Sequence, residues 1–151
     1  MTSDVQAARE RAVSYIGISR HRTSGKIKEK LVRDGFDADV IDDVLSYLQS
    51  IDYLDDERAA KHILSQYRGR KGRSRAMLSA LLLSRGVPPD VARSVIDELD
   101  SDEALARSLI DATFPRGADR EAIYKRLISR GFHPNLAATV SRLMASETDY
   151  D

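Results

Sequence analysis

Ile27-Lys-Glu-Lys-Leu31-Val-Arg-Asp-Gly35-Phe36 is the stretch that decides the fold, because its pattern returns twice further along the chain. The second copy is Leu78-Ser-Ala-Leu-Leu82-Leu-Ser-Arg-Gly86-Val87, and the third is Ile123-Tyr-Lys-Arg-Leu127-Ile-Ser-Arg-Gly131-Phe132. Counted from each glycine, the residues at −8, −4 and −3 are aliphatic, and apolar residues follow at +1, +5, +9 and +13. An ungapped internal repeat predicts stacked units that present a surface, and such surfaces usually bind rather than catalyse.

Each copy has the pattern of two short helices joined by a tight turn. The −8, −4, −3 spacing predicts one apolar stripe on the first helix. Gly35, Gly86 and Gly131 stand where that helix would end in the left-handed conformation, which glycine adopts without penalty. A second helix with apolar residues at +5, +9 and +13 follows, and Asp37 is placed to cap it in the first copy.

A further helix is predicted before each pair. Apolar residues recur at helical spacing in three more segments, residues 4–18, 56–68 and 102–114. We therefore expect an all-α protein of nine short helices in three tandem three-helix repeats, stacked into an elongated or curved body. The expected repeats are residues 4–50, 51–101 and 102–146, followed by a disordered acidic tail at 147–151.

Composition excludes several classes of protein. The 151 residues include no cysteine, so disulfides and thiol chemistry are excluded. The first ten residues lack the basic start and apolar centre of a signal peptide, and the aliphatic run at Leu81–Leu83 is far too short to span a membrane. We expect a soluble cytoplasmic protein with no membrane contact. A monomer is expected because neighbouring repeats can bury one another's apolar faces.

The formal net charge of zero conceals charges that are sorted into blocks. Residues 20–33 hold six Lys or Arg and one Glu, residues 34–57 hold nine acids and no base, and residues 58–75 hold seven bases and no acid. Sorted charge steers association with a polyanion or with a protein of alternating potential, although charge runs are more often solvated helix faces. The two glycines of Arg68–Arg75 predict a flexible basic loop. The candidate partner- or DNA-binding residues are Arg20, Arg22, Lys26, Arg68, Arg70, Lys71, Arg73 and Arg75.

Residues able to support catalysis are scarce. His21, His62 and His133 are far apart in the sequence and lack metal-ligand spacing. The sequence has no Gly-x-Ser-x-Gly elbow and no phosphate-binding loop. Asp55 and Asp56 could form an acidic site, but acids at a helix start more often cap free amides and favour the helix dipole. We expect no enzymatic activity, no metal and no cofactor.

Three motifs resemble a known family. Tyr53-Leu-Asp-Asp-Glu-Arg-Ala-Ala60 resembles the "gly-tyr-leu-asp-asp-x-arg-phe-ala" signature of the RecX regulatory proteins, with Ala59 in place of phenylalanine. Arg22-Thr-Ser-Gly-Lys-Ile-Lys-Glu-Lys-Leu-Val-Arg-Asp-Gly-Phe36 resembles that family's first helix pair, and Arg130-Gly-Phe132 resembles its third-repeat "R-G-F". The resemblance covers about residues 5–145 and includes the three repeats of three helices for which the family is known.

The resemblance implies a function that the helical pattern alone does not. RecX proteins bind the RecA recombinase and its filament on single-stranded DNA, and they limit filament growth, ATP hydrolysis and strand exchange. By this resemblance the chain would lie along the filament groove, with its basic patches on acidic filament surfaces or on DNA phosphates. Two alternatives stay open, a stand-alone nucleic-acid-binding helical-repeat protein and a helical adaptor for another protein.

Overall fold

The computed structural model describes residues 2–146, and the regular structure in that range is helical. Its helices are α1 (Thr2–Ile16), α2 (Ser24–Arg33), α3 (Ala38–Ser50), α4 (Asp56–Ser65), α5 (Arg75–Ser84), α6 (Pro89–Asp97), α7 (Asp102–Thr113), α8 (Arg120–Ser129) and α9 (Pro134–Ser146). A 3₁₀ turn, Gly69–Lys71, lies between α4 and α5. The prediction of nine helices is confirmed for the described range, and the predicted tail at 147–151 lies outside it.

The turn inside each helix pair has the same backbone at all three glycines. Gly35, Gly86 and Gly131 have φ angles of +90°, +89° and +90°. The amide after each glycine donates to the carbonyl five residues earlier, and the glycine amide donates to the carbonyl three residues earlier, all at 3.0 or 3.1 Å. This pair of bonds is a Schellman motif, which satisfies the last carbonyls of a helix. The sequence repeat is therefore a repeated backbone turn.

The apolar positions of the repeat divide into a buried set and an exposed set. Residues at −8, −4 and +9 are buried in every copy, and so are those at +6, namely Ile41, Ala92 and Ala137. The predicted stripe is wrong at −3, where Val32, Leu83 and Ile128 are 57%, 46% and 38% exposed. Adjacent helical residues are turned about 100° apart, so the −3 side chain leaves the narrow strip that −8 and −4 form.

Two predicted helices end earlier than their apolar periodicity indicates. Helix α1 ends at Ile16, because Gly17 takes a left-handed φ of +71° and its amide bonds back to the Val13 carbonyl at 3.1 Å. Residues 17–23 therefore form a linker between α1 and α2. Helix α4 ends at Ser65, and the chain then turns toward the 3₁₀ segment.

The described residues group into two compact units. The first contains the described residues up to Ile63 together with Leu81–Val95, and the second contains Leu64–Ala80 together with the described residues from Ile96 onward. In the first unit α1, α2 and α3 pack on one another around an apolar core. In the second unit α9 packs on both α7 and α8 around another core. The division into repeats at 4–50, 51–101 and 102–146 stays a prediction.

Candidate nucleic-acid and partner interface

In the first unit the start of α2 packs directly on the glycine turn that ends α5. The Gly25 amide donates to the Gly86 carbonyl at 3.0 Å, and the Thr23 hydroxyl donates to the Arg85 carbonyl at 2.7 Å. The same hydroxyl accepts from the Lys26 amide at 3.2 Å, so Thr23 caps α2 while it holds the turn. A Cβ on Gly86 would lie 2.6 Å from the Thr23 Oγ1, which leaves room for glycine alone. This contact fixes the position at which the α1–α2 linker ends.

The second unit contains an equivalent contact, between the start of α5 and the turn that ends α8. The Ser74 amide donates to the Arg130 carbonyl at 3.0 Å, and the Ser74 hydroxyl accepts from the Met77 amide at 3.1 Å. A Cβ on Gly131 would lie 2.7 Å from the Ser74 Oγ. Each unit therefore uses a hydroxyl-capped helix start against a glycine turn, and each holds one basic surface beside that contact.

Asp55 and Asp56 accept hydrogen bonds from helix amides. Asp55 Oδ1 accepts from the Arg58 amide at 3.0 Å, which is an N-cap bond for α4. Asp56 is buried, and its Oδ1 accepts from the Ser24 amide at 2.7 Å. The second unit repeats this bond, with Asp102 accepting from the Arg75 amide at 2.8 Å. Among residues 2–146, no group of three or more His, Cys, Asp or Glu could hold a metal ion.

Two arginines of the α1–α2 linker lie over tyrosine rings. The guanidinium carbon of Arg20 is 4.5 Å from the centroid of the Tyr53 ring, and that of Arg22 is 4.5 Å from the centroid of the Tyr15 ring. Arg22 also donates through Nε to the Tyr15 carbonyl at 3.3 Å. Cation–π contact restrains both guanidinium groups at the surface. Lys26, the third candidate here, lies in the first turn of α2 and pairs with Glu29 at 3.4 Å.

His21, which lies between these two arginines, stacks on His62 of α4. The two ring centroids are 3.8 Å apart and the planes differ by 16°, although the sequence separates the residues widely. Arg58 lies beside the stack and donates through Nε to the Arg20 carbonyl at 3.3 Å. Burial lowers the pKa of His21 below its ordinary value of 6.5, and the neighbouring His62 and Arg58 lower it further. We call Arg20, His21, Arg22, Arg58 and His62 the linker patch.

The basic segment Arg68–Arg75, predicted as a flexible loop, is a folded turn against α7; we call it the basic turn. The Gly72 amide donates to the Gly69 carbonyl at 3.0 Å. A Cβ on Gly72 would lie 3.1 Å from that carbonyl oxygen and 3.5 Å from the Leu109 Cβ, so the glycine allows the turn to approach the helix closely. Arg70 donates through Nε to the Ala112 carbonyl at 3.0 Å, near the end of α7. Tertiary packing, rather than loop composition, decides the shape of this segment.

Arg130, which the sequence places in the Arg-Gly-Phe motif but not among the candidate binding residues, holds the basic turn in place. Its Nη1 donates to the Arg70 carbonyl at 2.9 Å and to the Gly72 carbonyl at 3.2 Å. Burial lowers the pKa of Arg130, and the charges of Arg73 and Arg126 lower it further. The cations are thus crowded against one another, and a bound polyanion would relieve their repulsion. The sequence signal that pointed to Arg130 was the recurrence of Ser-Arg-Gly at the ends of α5 and α8.

The cations of the basic turn differ in how free they are to meet a partner. Arg68 and Lys71 are exposed, and within the described part of the chain their side chains make no hydrogen bond or ion pair. Arg73 donates through Nη1 to the Lys71 and Gly72 carbonyls, and its guanidinium carbon lies 5.4 Å from the centroid of the Tyr67 ring. Arg75 instead points inward, donating to the Ile96 carbonyl at 2.9 Å and lying 3.7 Å from Asp97. Arg68 and Lys71 are therefore the side chains of this turn that are free to reach a ligand.

Comparison with known proteins gives one family match and two similar curated proteins. Residues 8–48 match the family described as RecX, first three-helix domain. Over 96 residues the chain is 33% identical to a regulatory protein RecX of Prosthecochloris aestuarii, covering 64% of this chain and 63% of that protein. Over 79 residues it is 28% identical to a regulatory protein RecX of Chlorobium limicola, covering 52% and 50%. The chain thus matches less than two thirds of the length of either relative.

The fold as a whole is similar to that of a solved structure. The crystal structure of RecX from Lactobacillus salivarius aligns with a TM-score of 0.73 over 100% of both chains, at 16% sequence identity. At that identity the likeness shows the fold and carries nothing about residues or partners. No helix in residues 2–146 has the length and apolar character needed to cross a membrane.

Proposed function

We propose that this chain, a relative of the RecX regulatory proteins in sequence and in fold, regulates the RecA recombinase and has no enzymatic activity of its own. It binds the RecA filament on single-stranded DNA and limits filament growth, ATP hydrolysis and strand exchange. The match of residues 8–48 to the RecX first three-helix domain is the observation that carries the proposal. The chain acts as a monomer in the cytoplasm, where its proposed partner assembles on DNA.

The basic turn supports the proposal that a polyanionic surface is the partner. Arg68 and Lys71 have no side-chain partner in the described residues, and no acidic side chain occurs between Arg58 and Arg75. Because the backbone of the turn is packed against α7, its cations are held close together and produce a positive electrostatic potential at one place on the surface. A RecA filament on DNA offers acidic protein surface and phosphates together, and either would neutralise this turn.

Co-sedimentation with RecA filaments on single-stranded DNA tests the proposal. We expect the chain to pellet with filaments assembled on oligo-deoxythymidine with a non-hydrolysable ATP analogue, and to stay in the supernatant with RecA that lacks DNA and nucleotide. Saturation at fewer than one copy per RecA protomer is expected if each copy contacts several protomers. A chain that stays in the supernatant at every filament concentration would contradict the proposal.

A stand-alone nucleic-acid-binding protein is the second candidate, and the exposed cations of the basic turn favour it. Arg68 and Lys71 have no side-chain partner in the described residues, so a nucleic-acid strand alone could neutralise them. Each phosphate neutralised on a single strand contributes about −0.7 to the slope of log affinity against log salt. Equal affinity for bare DNA and for the filament, with a slope near −2 to −3 by that estimate, would favour this candidate.

A further inference from the structure

The linker patch presents two pre-oriented guanidinium groups. The Arg20 side chain makes no hydrogen bond within residues 2–146, and Arg22 uses only its Nε, so most of their N–H donors are available to a ligand. Both side chains are exposed, and the tyrosine rings under them keep the planar groups oriented. A guanidinium fork matches the oxygens of a phosphate in a bidentate contact, and a pre-oriented fork loses less entropy on binding.

A histidine stack accompanies these two guanidinium groups on the same linker. His21 is the residue between the arginines, and its ring lies 3.8 Å from that of His62. Two stacked imidazoles beside the Arg58 guanidinium cannot both carry a charge without repulsion. An anion held by the two forks would supply the compensating charge at the stack. The linker patch thus combines two guanidinium groups that suit a phosphate with two imidazole rings that can take up a proton.

We propose that the linker patch binds the phosphodiester groups of a single nucleic-acid strand, and that this binding takes up a proton at the His21–His62 stack. This site and its proton linkage extend the proposed function. They rest on that function in one respect, that single-stranded DNA is the natural ligand. Arg20 and Arg22 hold successive phosphates. The imidazolium that forms between them donates to the same strand.

The direction of the pH dependence follows from the charges that surround the stack. The charged or tyrosine side chains of the linker, of the segment before α4 and of α4 itself are Arg20, Arg22, Asp52, Tyr53, Asp55, Asp56, Glu57, Arg58 and Lys61, and Tyr15 of α1 lies under Arg22. The buried Asp56 is engaged by the Ser24 amide, which donates to its Oδ1 at 2.7 Å. Asp55 and Glu57 already pair with Arg58 and Lys61, at 3.8 Å and 2.9 Å. The free patch therefore disfavours a charged His21, whose pKa lies below 6.5. A bound phosphate raises that pKa, so affinity increases as the pH falls from 7.5 toward 6.

Fluorescence anisotropy with labelled oligo-deoxythymidine at pH 7.5 and pH 6.0, at one ionic strength, tests the site. One proton taken up changes the affinity by at most about tenfold per pH unit, and we expect the wild-type chain to bind about three- to tenfold more tightly at pH 6.0. His21→Phe keeps a stacked ring that cannot titrate, and it should bind as the wild type does at pH 7.5 with little further gain at pH 6.0. His62→Phe removes the other titratable ring of the stack, and it should reduce the pH response in the same way.

Control variants separate the patch from other histidines and cations. His133→Asn should keep the full pH response, because His133 lies at the start of α9, where its Nδ1 accepts from the Asn135 amide, and asparagine also caps helices. Arg20→Gln with Arg22→Gln should lower the affinity about tenfold or more at both pH values. Circular dichroism of each variant should match the wild-type helical signal.

The outcomes distinguish this inference from the proposed function. A wild-type affinity that does not change with pH, an unchanged pH response in both histidine variants, or unchanged binding by the double glutamine variant would each overturn the inference. Filament co-sedimentation without proton-linked DNA binding would leave the proposed function in place without this site. Proton-linked DNA binding without co-sedimentation would support the site and contradict the proposed function.

Discussion

Gly86→Ala is expected to lower the free energy of unfolding by about 2–5 kcal/mol, a large part of the 5–15 kcal/mol typical of a domain. Gly86 has φ of +89°, which costs an alanine about 1–2 kcal/mol. The added Cβ would also lie 2.6 Å from Thr23 Oγ1 and 2.9 Å from the Lys26 amide nitrogen, so the start of α2 must move. Urea denaturation followed by far-ultraviolet circular dichroism measures the loss.

Gly35→Ala is the matched control, because Gly35 has the same turn without the close neighbour. Its φ is +90°, yet an added Cβ would meet nothing within 4 Å. The expected loss is the backbone cost alone, about 1–2 kcal/mol. The difference between the two variants isolates the contact of α2 with the α5 turn. Equal losses would contradict the role of that contact in holding the first unit together.

Reversing the two free cations of the basic turn, Arg68→Glu with Lys71→Glu, is expected to lower the affinity for the RecA filament by about ten- to a hundredfold at low salt. These side chains have no partner in the described residues, so their reversal changes charge and leaves the turn packed. Arg70 and Arg130 keep their bonds to the Ala112 and Gly72 carbonyls. Filament co-sedimentation at several salt concentrations measures the change, which should shrink as salt screens the charges.

A double reversal elsewhere in the chain controls for net charge. Arg93→Glu with Arg142→Glu makes the same change in charge, at two exposed arginines whose side chains have no partner in the described range. We expect this control to retain most of the wild-type affinity. Equal losses in the two double variants would show that overall charge, and not the basic turn, determines binding.

The features predicted well from sequence are those set by local physics. A glycine that comes three residues after a pair of aliphatic residues indicates a Schellman turn. The left-handed backbone and the two hydrogen bonds of that turn involve only residues close in the chain, so a local pattern is enough to predict it. The three turns at Gly35, Gly86 and Gly131 are of this kind. Helical geometry explains why the residues at −8, −4 and +9 are buried. The residues at −3 were wrongly predicted to share the buried face, because that face of a short helix is narrower than the predicted apolar stripe.

The features that sequence reasoning missed depend on residues far apart in the chain. The basic turn is folded because Gly72 fits against Leu109 and because Arg130 reaches its carbonyls. Composition alone describes such a segment as a flexible loop. The stacking of His21 on His62 likewise joins the linker to α4, two segments that are far apart in the chain. Arg75 looked like a surface cation, but tertiary neighbours turn it inward to the Ile96 carbonyl.

The decisive measurement is the steady-state rate of ATP hydrolysis by RecA on single-stranded DNA, titrated with this chain at fixed salt. We expect inhibition that saturates below one copy per RecA protomer. The double variant Arg68→Glu with Lys71→Glu should require a higher concentration, and the double variant Arg93→Glu with Arg142→Glu should behave as the wild type. An unchanged rate of hydrolysis at concentrations that saturate filament binding, or at every concentration tested, would contradict the proposed function.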